Sequence, residues 1–292
     1  MMPALSWPII AAVLFGALLH ASWNALIKSG PDKALDTALI HVLGCVFGAA
    51  LVLAVGLPRR EAWPWLATSA VIHVGYYVTL VGAYRHGELG FAYPLMRGTA
   101  PLLVALLSGQ LIGERVPLAA WLGVAGISTG VLAIGLTRSA RGAGSPPDTR
   151  AKALAYALAN AAIIASYTIV DGLGVRVSGH ALQYVGLLFL IDGAPYFAIV
   201  LWQRRVALAP AFGYMRARWP VALLGSCASL GAYGIALWAM TRAPVASVAA
   251  LRETSVLFAA LLGVLMLKER FRLQRAVGTG AIIAGVMALR LA

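Results

Sequence analysis

The sequence predicts an all-α polytopic membrane protein, with ten transmembrane helices in two inverted five-helix repeats. Three observations predict it: an apolar composition, ten apolar stretches of membrane-spanning length, and motifs that recur between the two halves. Of 292 residues, 61% are apolar and 11% charged, and the mean hydropathy is +0.85. A soluble domain runs at roughly 45–50% apolar and about 25% charged. A soluble globule of this size cannot cover so much apolar surface. The 31 glycines and 14 prolines agree, since both are frequent in membrane helices. Disorder is excluded by composition, and a disulfide scaffold by a content of 2 cysteines.

A bilayer-crossing helix needs about 20 apolar residues. Ten such stretches run near 8–27, 35–57, 64–84, 89–112, 117–137, 152–172, 181–202, 219–240, 244–267 and 273–291. Little chain is left for a soluble domain. The longest connections, Arg138–Arg150 and Gln203–Arg218, read as loops. The first stretch does not read as a signal peptide, because Met1–Trp7 carries no Lys or Arg. No GxxxxGK[ST] motif is present, which argues against an ATP-driven pump. Neither metal-ligand spacing nor a cofactor motif is evident. Cys45 and Cys227 fall inside apolar stretches and read as small core residues.

The net charge is +13. Most basic residues fall in short loops, so lipid headgroups rather than nucleic acid are the expected partner. Fifteen Lys/Arg lie in odd-numbered loops and six in even-numbered loops and the C-terminus. The positive-inside rule then places both termini outside the cytoplasm.

The repetition is specific. Gly113-Glu114-Arg115 follows the fourth span and Lys268-Glu269-Arg270 the ninth, an offset of 155. At that offset Arg97 falls on Arg252, Gly123 on Gly278 and Gly130 on Gly285. Ala21-Ser22-Trp23-Asn24 matches Ala165-Ser166-Tyr167-Thr168 at offset 144. Residues 1–140 and 151–292 are thus expected to be two five-span units. Five is odd, so the copies are inverted, a feature of secondary transporters with the substrate site at the repeat interface.

The chain resembles the EamA family of the drug/metabolite transporter superfamily. The resemblance rests on Leu111-Ile112-Gly113-Glu114-Arg115 with Gly123, Gly126 and Gly130, and on Leu267-Lys268-Glu269-Arg270 with Gly278 and Gly285. Within that family it is most similar to amino-acid exporters of the YddG type. The resemblance implies a multi-pass protein of the cell (inner) membrane with cytoplasmic termini, opposite to the charge count. It also implies that a monomer suffices, because both halves are already fused.

Charged side chains in a bilayer cost about 2.5–3.5 kcal/mol each on insertion scales, so Arg97, Asp192, Arg252 and Glu253 are functional candidates. Two arginines facing one cavity suit a carboxylate or phosphate. The alternative is that each arginine pairs with an internal acid and locks the bundle. Pro94 and Pro101 flank Arg97 and are expected to kink span four and free carbonyls there. Pro195 is expected to do the same near Asp192.

Helical spacing sets polar and aromatic stripes: His20, Trp23 and Asn24 on span one; His73, Tyr76, Tyr77 and Tyr84 on span three; Tyr156, Asn160, Tyr167 and Asp171 on span six. Tyr233 and Trp238 of span eight are weaker members. In lipid such stripes must face protein or water. They describe an aromatic-walled cavity with arginine, suited to an amino acid. Tyr84 and Tyr156 lie near span ends and read as interface residues, and the Glu-Arg pairs as structural end caps. The expected function is export of aromatic or neutral amino acids, or similar small metabolites, by alternating access. Glu253, Asp192 and His20 are candidate carriers of a coupling proton. Cationic-drug export, sugar- or phosphate-metabolite exchange and an intramembrane enzyme are the alternatives, in that order.

Overall fold

The computed structural model describes residues 5–86, 89–136, 147–267 and 273–292. It is 89% helical, with no strand among the described residues. The α-helices are α1 (Trp7–Ser29), α2 (Lys33–Val55), α3 (Trp63–His86), α4 (Leu89–Leu107), α5 (Leu118–Leu136), α6 (Pro147–Val177), α7 (Ala181–Gln203), α8 (Leu208–Met240), α9 (Val245–Arg252), α10 (Ser255–Leu267) and α11 (Leu273–Leu291). Among the described residues, seven helical stretches are long and apolar enough to cross a membrane, and two shorter apolar helices, Leu118–Ile134 and Ala276–Leu291, accompany them. The protein is therefore a multi-pass membrane protein. The helix α3 occupies the third expected span.

Local chemistry sets the helix ends. Asp32 caps α2 by accepting the Leu35 N–H at 3.1 Å. Two expected boundaries move. The chain after Gln203 re-enters a helix at Leu208, so most of the expected loop to Arg218 is the first three turns of α8. Their basic residues are accommodated because Arg218 reaches Asp36 of α2. Likewise α6 begins at Pro147, inside the other expected loop. The expectation that Cys227 is a core residue is also corrected: it is exposed on α8, while Cys45 is half-buried. An apolar-looking thiol costs little against lipid, so hydropathy alone does not tell core from rim.

The bundle is built from pairs that join the two halves of the sequence: α1 with α8, α2 with α7, α3 with α6, α4 with α9, and α5 with α11. The pairing of α5 with α11 is the tightest by backbone. Gly123, Gly126 and Gly130 of α5 lie against Gly278 and Gly285 of α11, so this glycine face packs within one chain. Trp7 at the start of α1 lies under Arg290 at the end of α11, at 5.7 Å, which puts both described ends of the chain on the same face of the bundle.

Each end of the bundle is tied by ions. At the end holding the α1–α2 turn, Arg204 meets Asp32 at 2.8 Å and Arg218 meets Asp36 at 3.1 Å. Arg218 also donates to the Leu26 carbonyl, and the Asp32 N–H donates to the Tyr214 hydroxyl. At the opposite end Arg176 donates to Glu114 at 2.7 Å and to the carbonyls of Met240 and Ala243 at 2.8 and 3.1 Å.

The α5–α11 seam gives a first prediction. A Cβ at Gly285 would meet the Gly123 oxygen at 2.7 Å and the Ile127 nitrogen at 2.8 Å, whereas a Cβ at Gly280 meets nothing within 4 Å. Gly285→Val is therefore expected to destabilise the protein by about 1–3 kcal/mol through overpacking. Gly280→Val is expected to leave thermal unfolding in detergent unchanged.

Candidate functional site

A pocket lies where α4, α6 and α9 converge. Arg97 and Pro101 of α4, Tyr167 and Thr168 of α6, and Arg252 and Glu253 of the α9 end line it around a cavity of about 10 Å³. Small-molecule sites usually occupy roughly 300–1,000 Å³, so in this conformation the pocket is closed down to about the space of one water.

The local folding of the ninth expected span builds this site. The span does not run through as one helix. It breaks at Glu253 and Thr254, between α9 and α10. No proline or glycine stands at the break. Instead the Thr254 hydroxyl donates to the Leu251 carbonyl at 2.7 Å, and the Glu253 N–H bonds to Ala250. Such local bonding offers backbone an alternative to the helix ladder. Span four, where prolines predicted the irregularity, runs as a continuous helix through both Pro94 and Pro101. It closes in a π-helical turn over Ser108–Ile112.

Gly113 then takes φ +71, the left-handed conformation that glycine adopts freely. That turn delivers Glu114 to the start of α9, where it accepts the Val245 N–H at 3.0 Å. The Glu114 carboxylate thus pairs with Arg176 rather than with its neighbour Arg115 and caps α9. Its counterpart pair, Glu269-Arg270, lies outside the described residues.

The two arginines part company. Arg97 Nε lies 2.7 Å from Glu253 Oε2, with both side chains nearly inaccessible. Arg97 therefore follows the locking alternative. Arg252 is half-buried and makes no ion pair among the described residues. Its guanidinium sits 5.0 Å above the Tyr233 ring. The position matching Glu253 in the first half is Gly98, so two arginines share one acid.

Other expected residues gather around this pair. His20 Nε2 approaches Arg97 Nη2 at 3.5 Å, and Trp23 packs edge-on to His20 at 5.3 Å. The buried Trp23 Nε1–H has no partner among the described residues. His73 stacks on Tyr167 at 4.5 Å, and Tyr76 meets Tyr167 edge-on at 6.1 Å.

Several expected residues serve elsewhere. Asn160 donates to the Tyr76 carbonyl at 3.0 Å and to Thr79 Oγ1 at 2.9 Å, tying α6 to α3. Asn24 donates back to the His20 carbonyl. Trp238 lies under Arg242 at 4.5 Å, near the end of α8. Asp192 and Pro195 sit on α7, beside α2 rather than at the pocket, and Pro195 falls within a continuous helix. Tyr156 stacks on His86 at 5.4 Å. Tyr77 and Tyr84 fall on α3, with side chains outside the described residues.

The structure also brings forward Asp171, which the sequence placed in a polar stripe without a role. It is fully buried, accepts a hydrogen bond from Tyr184 at 2.8 Å and another from Tyr233. Its spacing of four from Tyr167 was the only sequence signal for it.

The Arg97–Glu253 pair yields a second prediction. Removing one member of a buried pair costs about 3–5 kcal/mol, because the other charge is left uncompensated. Arg97→Ala and Glu253→Ala should each lower the thermal midpoint sharply. The double variant should lose clearly less than the sum of the two, as a double-mutant cycle of detergent-solubilised protein would read.

Comparison with known proteins now adds to this geometry. No curated protein matches the chain in sequence. A crystal structure of a protein 21% identical in sequence superposes with a TM-score of 0.69, covering 97% of this chain and 95% of the other. At that identity the likeness speaks for the fold. Residues 151–291 match the EamA-like transporter family model.

Proposed function

We propose that the protein is a secondary transporter that moves aromatic or neutral amino acids, or similar small carboxylate metabolites, across a membrane by alternating access. The observation that carries the substrate class is Arg252. It is a pocket-lining cation without an acid of its own, beside an arginine already matched to Glu253. A substrate carboxylate is the partner such a guanidinium accepts in bidentate fashion. The flanking Tyr167, Tyr233 and Trp23 supply aromatic surface for the rest of the molecule. The break at Glu253–Thr254 agrees with a substrate site, since discontinuous helices line such sites in transporters.

The helix pairing supports two inverted units, 1–140 and 151–292. If α1–α5 exchange places with α6, α7, α8, α9–α10 and α11, the pair α1 with α8 becomes α6 with α3. The pairs α2 with α7, α4 with α9 and α5 with α11 map onto themselves. A site between α4 and α9 then lies on the axis relating the units. In this reading the ion-tied ends are the two gates. The single engaged acid at the pocket, Glu253, leaves a cationic substrate without a free carboxylate there, which disfavours a cationic-drug exporter.

Solute counterflow in proteoliposomes tests the reading, with a panel of labelled amino acids, sugars and quaternary cations. Saturable exchange of aromatic or neutral amino acids is expected. It should fall by at least tenfold in Arg252→Ala and partly recover in Arg252→Lys. Exchange of quaternary cations alone, insensitive to Arg252→Ala, would overturn the assignment.

A further inference from the structure

The deeply placed acids differ in one respect. Asp36 is matched by Arg218, Glu253 by Arg97, and Glu114 by Arg176. Asp171, with 0% exposure, has no arginine or lysine within ion-pair distance among the described residues. Its hydrogen-bond donors are neutral hydroxyls from other helices: Tyr184 of α7 on Oδ1, Tyr233 of α8 on Oδ2, and Ser69 of α3.

We propose that Asp171, clamped by Tyr184 and Tyr233, is a proton-binding site coupled to Arg252; the inference rests on the transport reading above. An acid matched to arginine cannot take a proton without stranding that cation. An acid held by neutral donors in an apolar interior can, since an isolated buried charge is costly and the neutral form is not. The step is simple in its atoms. A proton from water bonds to Asp171 Oδ2, the carboxylate charge disappears, and the oxygen that accepted from Tyr233 becomes an O–H donor. The Tyr233 hydroxyl must then turn from donor to acceptor or leave. Arg252 rests on the face of that same ring at 5.0 Å. Proton occupancy and the position of the substrate cation are thereby linked through one aromatic side chain.

The groups around Asp171 are consistent with this role. From α3, His73 and Ser69 face it, and His73 stacks on Tyr167 at the pocket. From α4, Arg97 is engaged by Glu253. From α7 and α8 come Tyr184 and Tyr233, and from α9 come Arg252, one ring away, and Glu253. On α6 itself, Tyr167 is the nearest ionisable side chain toward the pocket. Arg60 and Glu61 of the 60–62 turn, which packs on α6, are exposed to solvent.

The test uses the purified full chain in liposomes and needs no substrate. Infrared difference spectra between acid and alkaline buffer should contain a protonated-carboxyl stretch that titrates with pH and is absent in Asp171→Asn. A titrating band of the same amplitude in Asp171→Asn overturns the proposal. Should that variant fail to fold, Tyr233→Phe decides: a displaced midpoint supports the site, and an unmoved one overturns it. With labelled phenylalanine as probe, an imposed pH gradient should drive accumulation at least tenfold better in the wild type than in Asp171→Asn, while counterflow persists in both. Gradient-driven accumulation that survives Asp171→Asn overturns the coupling. Absence of phenylalanine counterflow in the wild type counts against the transport reading instead, and leaves the infrared result to judge Asp171.

Discussion

The centre of the molecule depends on one ion pair, Arg97 with Glu253. In an apolar chain a charge inside the bundle must be answered by another charge or by convergent hydrogen bonds. Arg97 comes from α4 and Glu253 from the break between α9 and α10, so the pair joins the two halves of the sequence at their interface. Satisfying Arg97 in this way leaves Arg252 on a tyrosine face rather than on an acid. The same arithmetic leaves Asp171 to neutral hydroxyls. The distribution of few acids among more numerous arginines therefore decides which side chains are structural and which remain free for chemistry.

Much of the fold was legible because membrane burial writes long apolar runs into the sequence. The expected spans coincide with helices at α1, α2, α3, α5, α7 and α11 to within a few residues. The boundaries that moved did so where hydropathy is a poor guide. The start of α8 is basic and reads as a loop, yet it is helical because Arg218 finds Asp36 across the bundle. The glycines matched at offset 155 form a close backbone contact, since only a residue without Cβ tolerates that approach.

The candidate site was legible in part. Arg97, Arg252, Glu253 and Tyr167 converge on one pocket, as intramembrane charge and helical spacing suggested. What the sequence could not give was the partner of each charge. Arg97 reaches an acid 156 positions away, and Glu114 leaves its neighbour Arg115 for Arg176. Prolines pointed to irregularity in span four, but the break falls in span nine, at Glu253 and Thr254.

The ionic ties at the ends of the bundle are not alike. Arg204 and Asp32 are 43% and 24% accessible at the side chain, while Arg176 and Glu114 are 17% and 9%. Dissolved electrolyte screens an exposed pair over a Debye length of about 8 Å at physiological ionic strength and screens a sheltered one much less. The Glu114 tie is further anchored to the backbone of α9. Salt in the aqueous phase facing the α1–α2 turn therefore weakens the Arg204–Asp32 tie, while Arg218–Asp36 at the same end, 22% and 5% accessible, is sheltered much like the Glu114 tie.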